Sequence, residues 1–334
     1  MKELKLGSEI LWLSETDVAS LLTIKEAMES VESAFLLHGK GLTQMPKKIY
    51  LEFNPFGGDL RAMPGYLMDK PFRAGVKIVN SNPKNPEKKL PAVSGIMVVV
   101  DPETGLVSAL MAAGQLTNIR TGAAGGIAAK QLALPNSTRV GLVGAGKQAQ
   151  TQMEALMENF QLKEVFVWGK TVEEAQAFCQ TNRKKFDIKF YAHSKVKDVC
   201  DADIIVTTTP SREALVQTDW VRAGTHVNAI GADAPGKQEL SLSLLKLAKI
   251  YVDEWGQASL AGEINKAVSS GKFTRKDIVG ELSQLLTGDV PGRKSNSDIT
   301  IFDSTGLAIQ DVAVANLIFQ KALKLNKGQV LKFQ

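Results

Sequence analysis

Cysteine, histidine and aromatic residues are scarce in this chain, and no long apolar run interrupts it. The two cysteines, Cys179 and Cys200, lack metal-ligand spacing, and the three histidines, His38, His193 and His226, are scattered. This argues against any metal site and against a disulfide framework, and it suits a reducing cytosol. No stretch reaches the roughly eighteen unbroken apolar residues of a membrane span. The start, "MKELKLGSEILWLSE", is charged within three residues and lacks the apolar segment of a signal peptide. These features read as a soluble, cytoplasmic protein. Neither charge sign dominates: 40 basic against 35 acidic residues leave a net charge of +5. The densest basic cluster, "NRKKF" (Asn182 to Phe186), reads as a helix end in solvent, so neither a nucleic acid nor a membrane surface is an expected partner.

What the chain does have is length and rhythm. Its 334 residues exceed one small core and imply two domains. Residues 15–38 place apolar side chains at helical spacing: Val18, Leu21, Leu22, Ile24, Ala27, Met28, Val31 and Phe35. From about 47 to 112 the runs "KKIYLEF", "DLRAMPGYL", "RAGVKIVNS" and "AVSGIMVVVD" are short and extended, with Pro, Gly, Asn and Asp between them. They predict an antiparallel or mixed sheet. Residues 114–133, rich in Ala and Gly, read as a helix leading out of it. Near 138 the rhythm changes to strand and helix in alternation: "RVGLVG", helix 146–160, "EVFVWG", helix 171–181, "KFYAH", then "ADIIVTTT", "THVNAIG" and "AKIYVDE". This predicts an α/β class with a doubly wound parallel (Rossmann) sheet beside an α+β substrate and dimerisation domain. The expected boundaries are 1–125 for the α+β domain and 126–304 for the dinucleotide domain. The tail from 305 to 334 is expected to pack back on the first.

"VGLVGAGKQAQ" sets Gly144, Ala145, Gly146, Gln148 and Ala149 directly after a strand and at a helix start. Gly144 permits a tight turn, Gly146 lets backbone approach a pyrophosphate, and Ala149 allows close helix–strand packing, with the anion on free helix N–H groups. An NAD-preferring site usually carries an acid at the end of the second strand, about twenty residues on. Here stand Gly169, Lys170 and Thr171, which favour the 2′-phosphate of NADP(H) over NAD(H); the alternative is that Lys170 begins a helix in solvent. "VTTTP" ends a later strand, where Thr207 and Thr208 either contact the coenzyme or cap a helix. "NAIGADAPGKQEL" puts Asp233 and Lys237 four positions apart around the turn Pro235–Gly236. That pair is either an incidental ion pair or chemistry aimed at a ligand. His226 reads as strand packing.

The phrases "MPKKIYLEF", "GDLRAMPGYL", "GVKIVNSNP", "LTNIRTGAAGGIAAKQLA", "GLVGAGKQAQ", "GADAPGKQEL" and "ITIFDSTGLAIQDVAVA" run in order along most of the chain. By these it resembles the ornithine cyclodeaminase/mu-crystallin family, and within it most closely the archaeal-type alanine dehydrogenases. The resemblance implies a homodimer built through the first domain, a nicotinamide coenzyme on the second and a small amino or imino acid between them. It implies Lys77 and Asp233 as the catalytic pair. Lys48 and Arg61 become substrate-carboxylate ligands, with Arg120 and Thr121 near the coenzyme phosphate and the substrate, and Lys237 beside Asp233. Arg61 stands where ornithine cyclodeaminases hold a distal ammonium with glutamate; a cation there repels ornithine. The sequence also departs from the family in reading Met111-Ala112-Ala113-Gly114 where Met-Asp-Gly is frequent, and in Lys48 replacing an arginine.

The expected activity is hydride transfer between substrate Cα and nicotinamide, as in an alanine dehydrogenase or a pyrroline-2-carboxylate or ketimine reductase. Ornithine cyclodeaminase, an ammonia-lyase with bound NAD, is the alternative. A non-enzymatic NADP(H)-binding protein of mu-crystallin type is the third reading.

Overall fold

The computed structural model describes residues 4–5 and 7–332, and the chain divides into two compact units. Unit 1 runs up to Arg120 and resumes at Leu307; unit 2 is the continuous segment Thr121–Gly306.

Unit 1 begins with strand β1 (Glu9–Leu13) and helices α1 (Glu15–Leu21) and α2 (Ile24–Gly39). Ser14 and Thr23 start the two helices through capping boxes completed by Asp17 and Glu26, which satisfy otherwise open N–H groups. Then follow β2 (Thr43–Gln44), β3 (Ile49–Phe53), β4 (Gly58–Leu67), β5 (Arg73–Ser81), β6 (Val93–Val100) and β7 (Val107–Ala112). Helix α3 (Gly114–Leu132) carries the chain across the boundary at Arg120.

Unit 2 alternates strands and helices as its sequence predicts: β8 (Arg139–Val143), α4 (Lys147–Asn159), β9 (Glu164–Trp168), α5 (Val172–Arg183), β10 (Lys189–His193), β11 (Ile204–Thr207) and β12 (His226–Ala229). After these come α6 (Leu242–Leu247), β13 (Lys249–Val252), α7 (Trp255–Ala261), α8 (Asn265–Ser269), β14 (Gly280–Glu281), α9 (Leu282–Thr287) and β15 (Thr300–Asp303). Its sheet is parallel throughout, in the order β10-β9-β8-β11-β12-β15-β13-β14. The strand order reverses beside β8, and the glycine phrase therefore follows the strand at the switch point. The central strand β15 escapes the sequence reading. Four residues are too few to show a period, and the polar "KSNSD" before them masks a strand that is wholly buried. His226 is buried in β12 between Thr300 and Asn228, both at 2.9 Å, and burial pushes it down to about 3. It packs as a neutral imidazole.

The chain returns to unit 1 as helix α10 (Ala308–Leu325) and strand β16 (Gln329–Lys332). The sheet order is β16-β1-β7-β6-β5-β4-β2, with β3 also on β4; only the β1–β7 pairing is parallel. Strand alternation gives this sheet two different faces. Arg61, Met63, Gly65 and Leu67 of β4 and Gly75 and Lys77 of β5 are buried. Gly65 lets α10 approach, since a Cβ there would sit 3.1 Å from the backbone of Ala308. The other face carries Ile49, Leu51, Leu60, Ile78, Ile96 and Val98, and it stays partly or fully exposed.

Candidate active site

The dinucleotide turn of unit 2 has the backbone its sequence demands. Gly144 adopts φ +121°, and a Cβ there would lie 2.5 Å from the Thr208 hydroxyl, so both conformation and space exclude a side chain. Its N–H donates to the Trp168 carbonyl at 2.9 Å. Gly146 is the N-cap of α4 and no side chain caps that helix; a Cβ at Gly146 would meet no atom within 4 Å. An open N-terminus at the switch point with clear space before it is what a pyrophosphate requires. Ala145 and Gln148 are half-buried at the turn, and Ala149 is buried beneath it. The Thr208 Oγ1 is buried and makes no hydrogen bond, which adds an unsatisfied polar atom beside Gly144. A nicotinamide dinucleotide fits these residues.

Around the turn the predicted contacts divide. Thr207 is fully buried and its hydroxyl donates to Glu239 at 2.7 Å, so it is committed inside the unit; no helix follows for either threonine to cap. Lys170 is exposed just past β9, where its backbone N–H is held by the Glu174 carboxylate at 3.0 Å. Thr121 is buried, and its carbonyl accepts the Gln152 side chain at 2.9 Å, which joins α3 to α4.

Lys77, Arg61, Arg120 and Lys48 gather in unit 1. Lys77 is buried on β5 and its Nζ lies 2.7 Å from Oδ1 of Asp311 on α10. Arg120 reaches the same oxygen through Nε at 3.0 Å and donates from Nη1 to the Gln310 side chain at 2.7 Å. Burial pulls Lys77 down to about 7; the Arg120 and Lys48 charges add to that shift and Asp311 opposes it. Arg61 is held by both oxygens of Asp59, at 2.9 and 3.0 Å, and its guanidinium lies 5.3 Å from the centre of the Tyr50 ring. Four cations thus share this region with Asp59 and Asp311. The other Asp311 oxygen is buried with no hydrogen bond, as is the Gln310 amide nitrogen. The cation excess and the open Gln310 amide donor suit a carboxylate ligand, while the open Asp311 oxygen is an acceptor and would instead take a donor from the ligand.

Asp311 and Gln310 escape the residue-level reading because "LAIQDVAVA" registers as an apolar helix. Its signal is an acid at a position that the helical period assigns to the buried side.

Asp233 lies in unit 2, in the loop after β12. Its carboxylate accepts from Lys237 Nζ at 2.5 Å, so the sequence pair is a real ion pair. Gly236, at φ +78°, makes the turn between them. Asn265 pins that turn, accepting from the Gly236 N–H at 2.9 Å and donating to the Lys237 carbonyl at 2.8 Å. About a third of the Asp233 side chain stays exposed, at 34%, which leaves it able to meet a ligand. Among the described residues no group of His, Cys, Asp and Glu could hold a metal ion.

A doubly wound sheet with this turn at its switch point defines a Rossmann-type dinucleotide-binding protein. The chain belongs to the ornithine cyclodeaminase/mu-crystallin family, whose model matches residues 9–326. It is 47% identical over 328 residues to an alanine dehydrogenase of Archaeoglobus fulgidus, covering 97% of this chain and 99% of that one. A solved archaeal alanine dehydrogenase dimer with bound NAD superposes with a TM-score of 0.94 at 48% identity, covering 98% and 100% of the two chains. The Δ1-pyrroline-2-carboxylate reductase of Thermococcus litoralis, solved with NADH and L-proline, gives 0.93 at 34% identity over 96% and 99%. The resemblance read from the phrases is therefore correct at the level of the family.

Proposed function

We propose that this chain is a nicotinamide-dependent oxidoreductase of a small amino or imino acid, with L-alanine and pyruvate plus ammonia as its substrates. The observation that carries this reading is the buried cation excess around Lys77, matched to a substrate that must present a carboxylate and little else. A bound nicotinamide coenzyme supplies the hydride acceptor or donor. Lys48, Arg61 and Lys77 bind the substrate carboxylate and so hold Cα in one orientation. Asp233 takes the proton that the substrate ammonium must lose before Cα can give up hydride, releases it to solvent through its exposed side, and then accepts a proton from the water that adds to the imine. Lys237, 2.5 Å from Asp233, holds that carboxylate in place through its ion pair.

Arg61 supports this reading against ornithine, because it puts a guanidinium on the buried face, held in place by both oxygens of Asp59. Lys170, with no acid ending β9, favours NADP(H), although the solved relatives carry NAD and NADH. The exposed apolar face of the unit 1 sheet, with Ile49 at 59% and Leu51 at 55%, supports a homodimer closed over that face.

Absorbance at 340 nm tests the reading, with NADH and NADPH each offered pyruvate plus ammonia and then a cyclic imino acid. Pyruvate-dependent oxidation of either coenzyme is expected, with the lower KM for NADPH. Ammonia release from ornithine without net coenzyme change would overturn it. Light scattering should give twice the chain mass.

A further inference from the structure

Unit 2 fully buries three acidic side chains whose hydrogen bonds run in series. Asp303, ending β15, accepts the N–H groups of Glu263 and Ile264 at 2.8 and 3.1 Å. Glu263 accepts those of Glu239 and Leu240 at 2.9 and 2.6 Å. Glu239 accepts the N–H groups of Thr209 at 2.6 Å and Gly231 at 2.9 Å, and the hydroxyls of Thr207 and Thr209 at 2.7 Å each. Each acid holds the backbone that carries the next. The spacing leaves no room for side chains: a Cβ on Gly262 would lie 2.6 Å from Asp303, and one on Gly231 equally close to Glu239.

Glu239 differs from the other two in what it joins. One set of its donors comes from Thr207 and Thr209, which flank the Thr208 packed against Gly144 of the dinucleotide turn. The other comes from Gly231, two residues before Asp233. A carboxylate is acceptor-only and can serve four donors with two oxygens; an amide would turn its NH2 toward two of them.

We propose that Glu239 is a positioning residue that fixes the Asp233 loop against the dinucleotide turn. The proposal rests on the reading of Asp233 as the proton acceptor. It requires that Glu239 influence turnover through Asp233, whereas an acid that only stabilises the fold would act independently of it.

The test uses Glu239→Gln alone and combined with Asp233→Asn. In the protein without coenzyme, amide exchange at Thr209 and Gly231 should rise by about tenfold or more in Glu239→Gln. In single-turnover assays Glu239→Gln should slow the rate about tenfold on the native background and less than about twofold on Asp233→Asn, the mark of coupled residues. An equal loss on both backgrounds, or unchanged exchange, overturns the proposal while leaving the reading of Asp233 intact. Native turnover by Asp233→Asn alone removes that reading and the proposal with it. Thr209→Val deletes one donor and serves if Glu239→Gln does not fold. It should show the same coupling at about threefold, and an additive loss there overturns the proposal equally.

Discussion

The two units bury ionisable groups by opposite means. Unit 1 encloses Lys77 and Arg120 around Asp311, so its cations are met by a side-chain carboxylate. Unit 2 encloses Glu239, Glu263 and Asp303, which are met by backbone N–H groups and threonine hydroxyls. A side-chain ion pair can open toward an incoming anion, since the ligand replaces the charge it displaces. Donors fixed in a folded backbone cannot be exchanged that way. The first arrangement therefore suits binding, and the second suits holding loops in place.

Breaking the unit 1 pairing should have the largest effect. Asp311→Ala leaves Lys77 and Arg120 buried without their shared carboxylate, and urea unfolding should show a loss of about 3–5 kcal/mol. A loss below about 1 kcal/mol would mean that the pair is not what keeps these cations inside. Next in size is the acid of unit 2 that keeps access to solvent. Asp233→Asn should lower kcat by about a hundredfold or more with coenzyme affinity unchanged, measured by nicotinamide fluorescence.

Stability against pH sharpens the contrast because the two regions bend it in opposite directions. Lys77 holds its proton only up to about 7 when folded, against 10.5 for an ordinary lysine. Between those values the unfolded chain carries the extra proton, so stability rises with pH by up to about 1.4 kcal/mol per unit. Asp303 is pushed by burial up to about 8 from 3.8, so across that window the folded state carries the extra proton and stability falls as pH rises. Thermal melts of Lys77→Met should lose the rise between pH 8 and 10 and keep the acid-side fall; retention of the rise would remove Lys77 as its source.

Smaller effects separate the two glycines of the turn. Gly146→Ala should melt like the native protein and weaken coenzyme binding about tenfold, because its methyl group enters the space left for the pyrophosphate. Gly144→Ala should lose stability instead, its Cβ meeting Thr208. The smallest expected change is in Arg61→Glu, which should raise the ratio of activity on a substrate with a distal amine to activity on alanine a few-fold over native; an unchanged ratio would end the argument from charge repulsion.

Much of this is legible in the sequence. Glycine spacing after a strand marks the dinucleotide turn because only a few backbones bring N–H groups to a pyrophosphate. Asp233 and Lys237 announce themselves through turn residues. The acids that organise the interior were not legible. Glu239 follows a polar stretch, Glu263 lies in "AGEINK" and Asp303 ends a four-residue strand, so each looks like an ordinary surface charge. Most of their partners are backbone groups, 8 to 40 residues away in sequence, and a backbone N–H has no letter of its own. Asp311 stayed hidden for the converse reason, as one acid in an apolar helix whose partners, Lys77 and Arg120, come from the far end of the chain.

The return of α10 to unit 1 has a consequence for synthesis. Unit 2 is one uninterrupted segment and can condense as it leaves the ribosome, but Lys77 has no counter-charge until Asp311 has been translated. The earliest-made part of the chain is thus completed last.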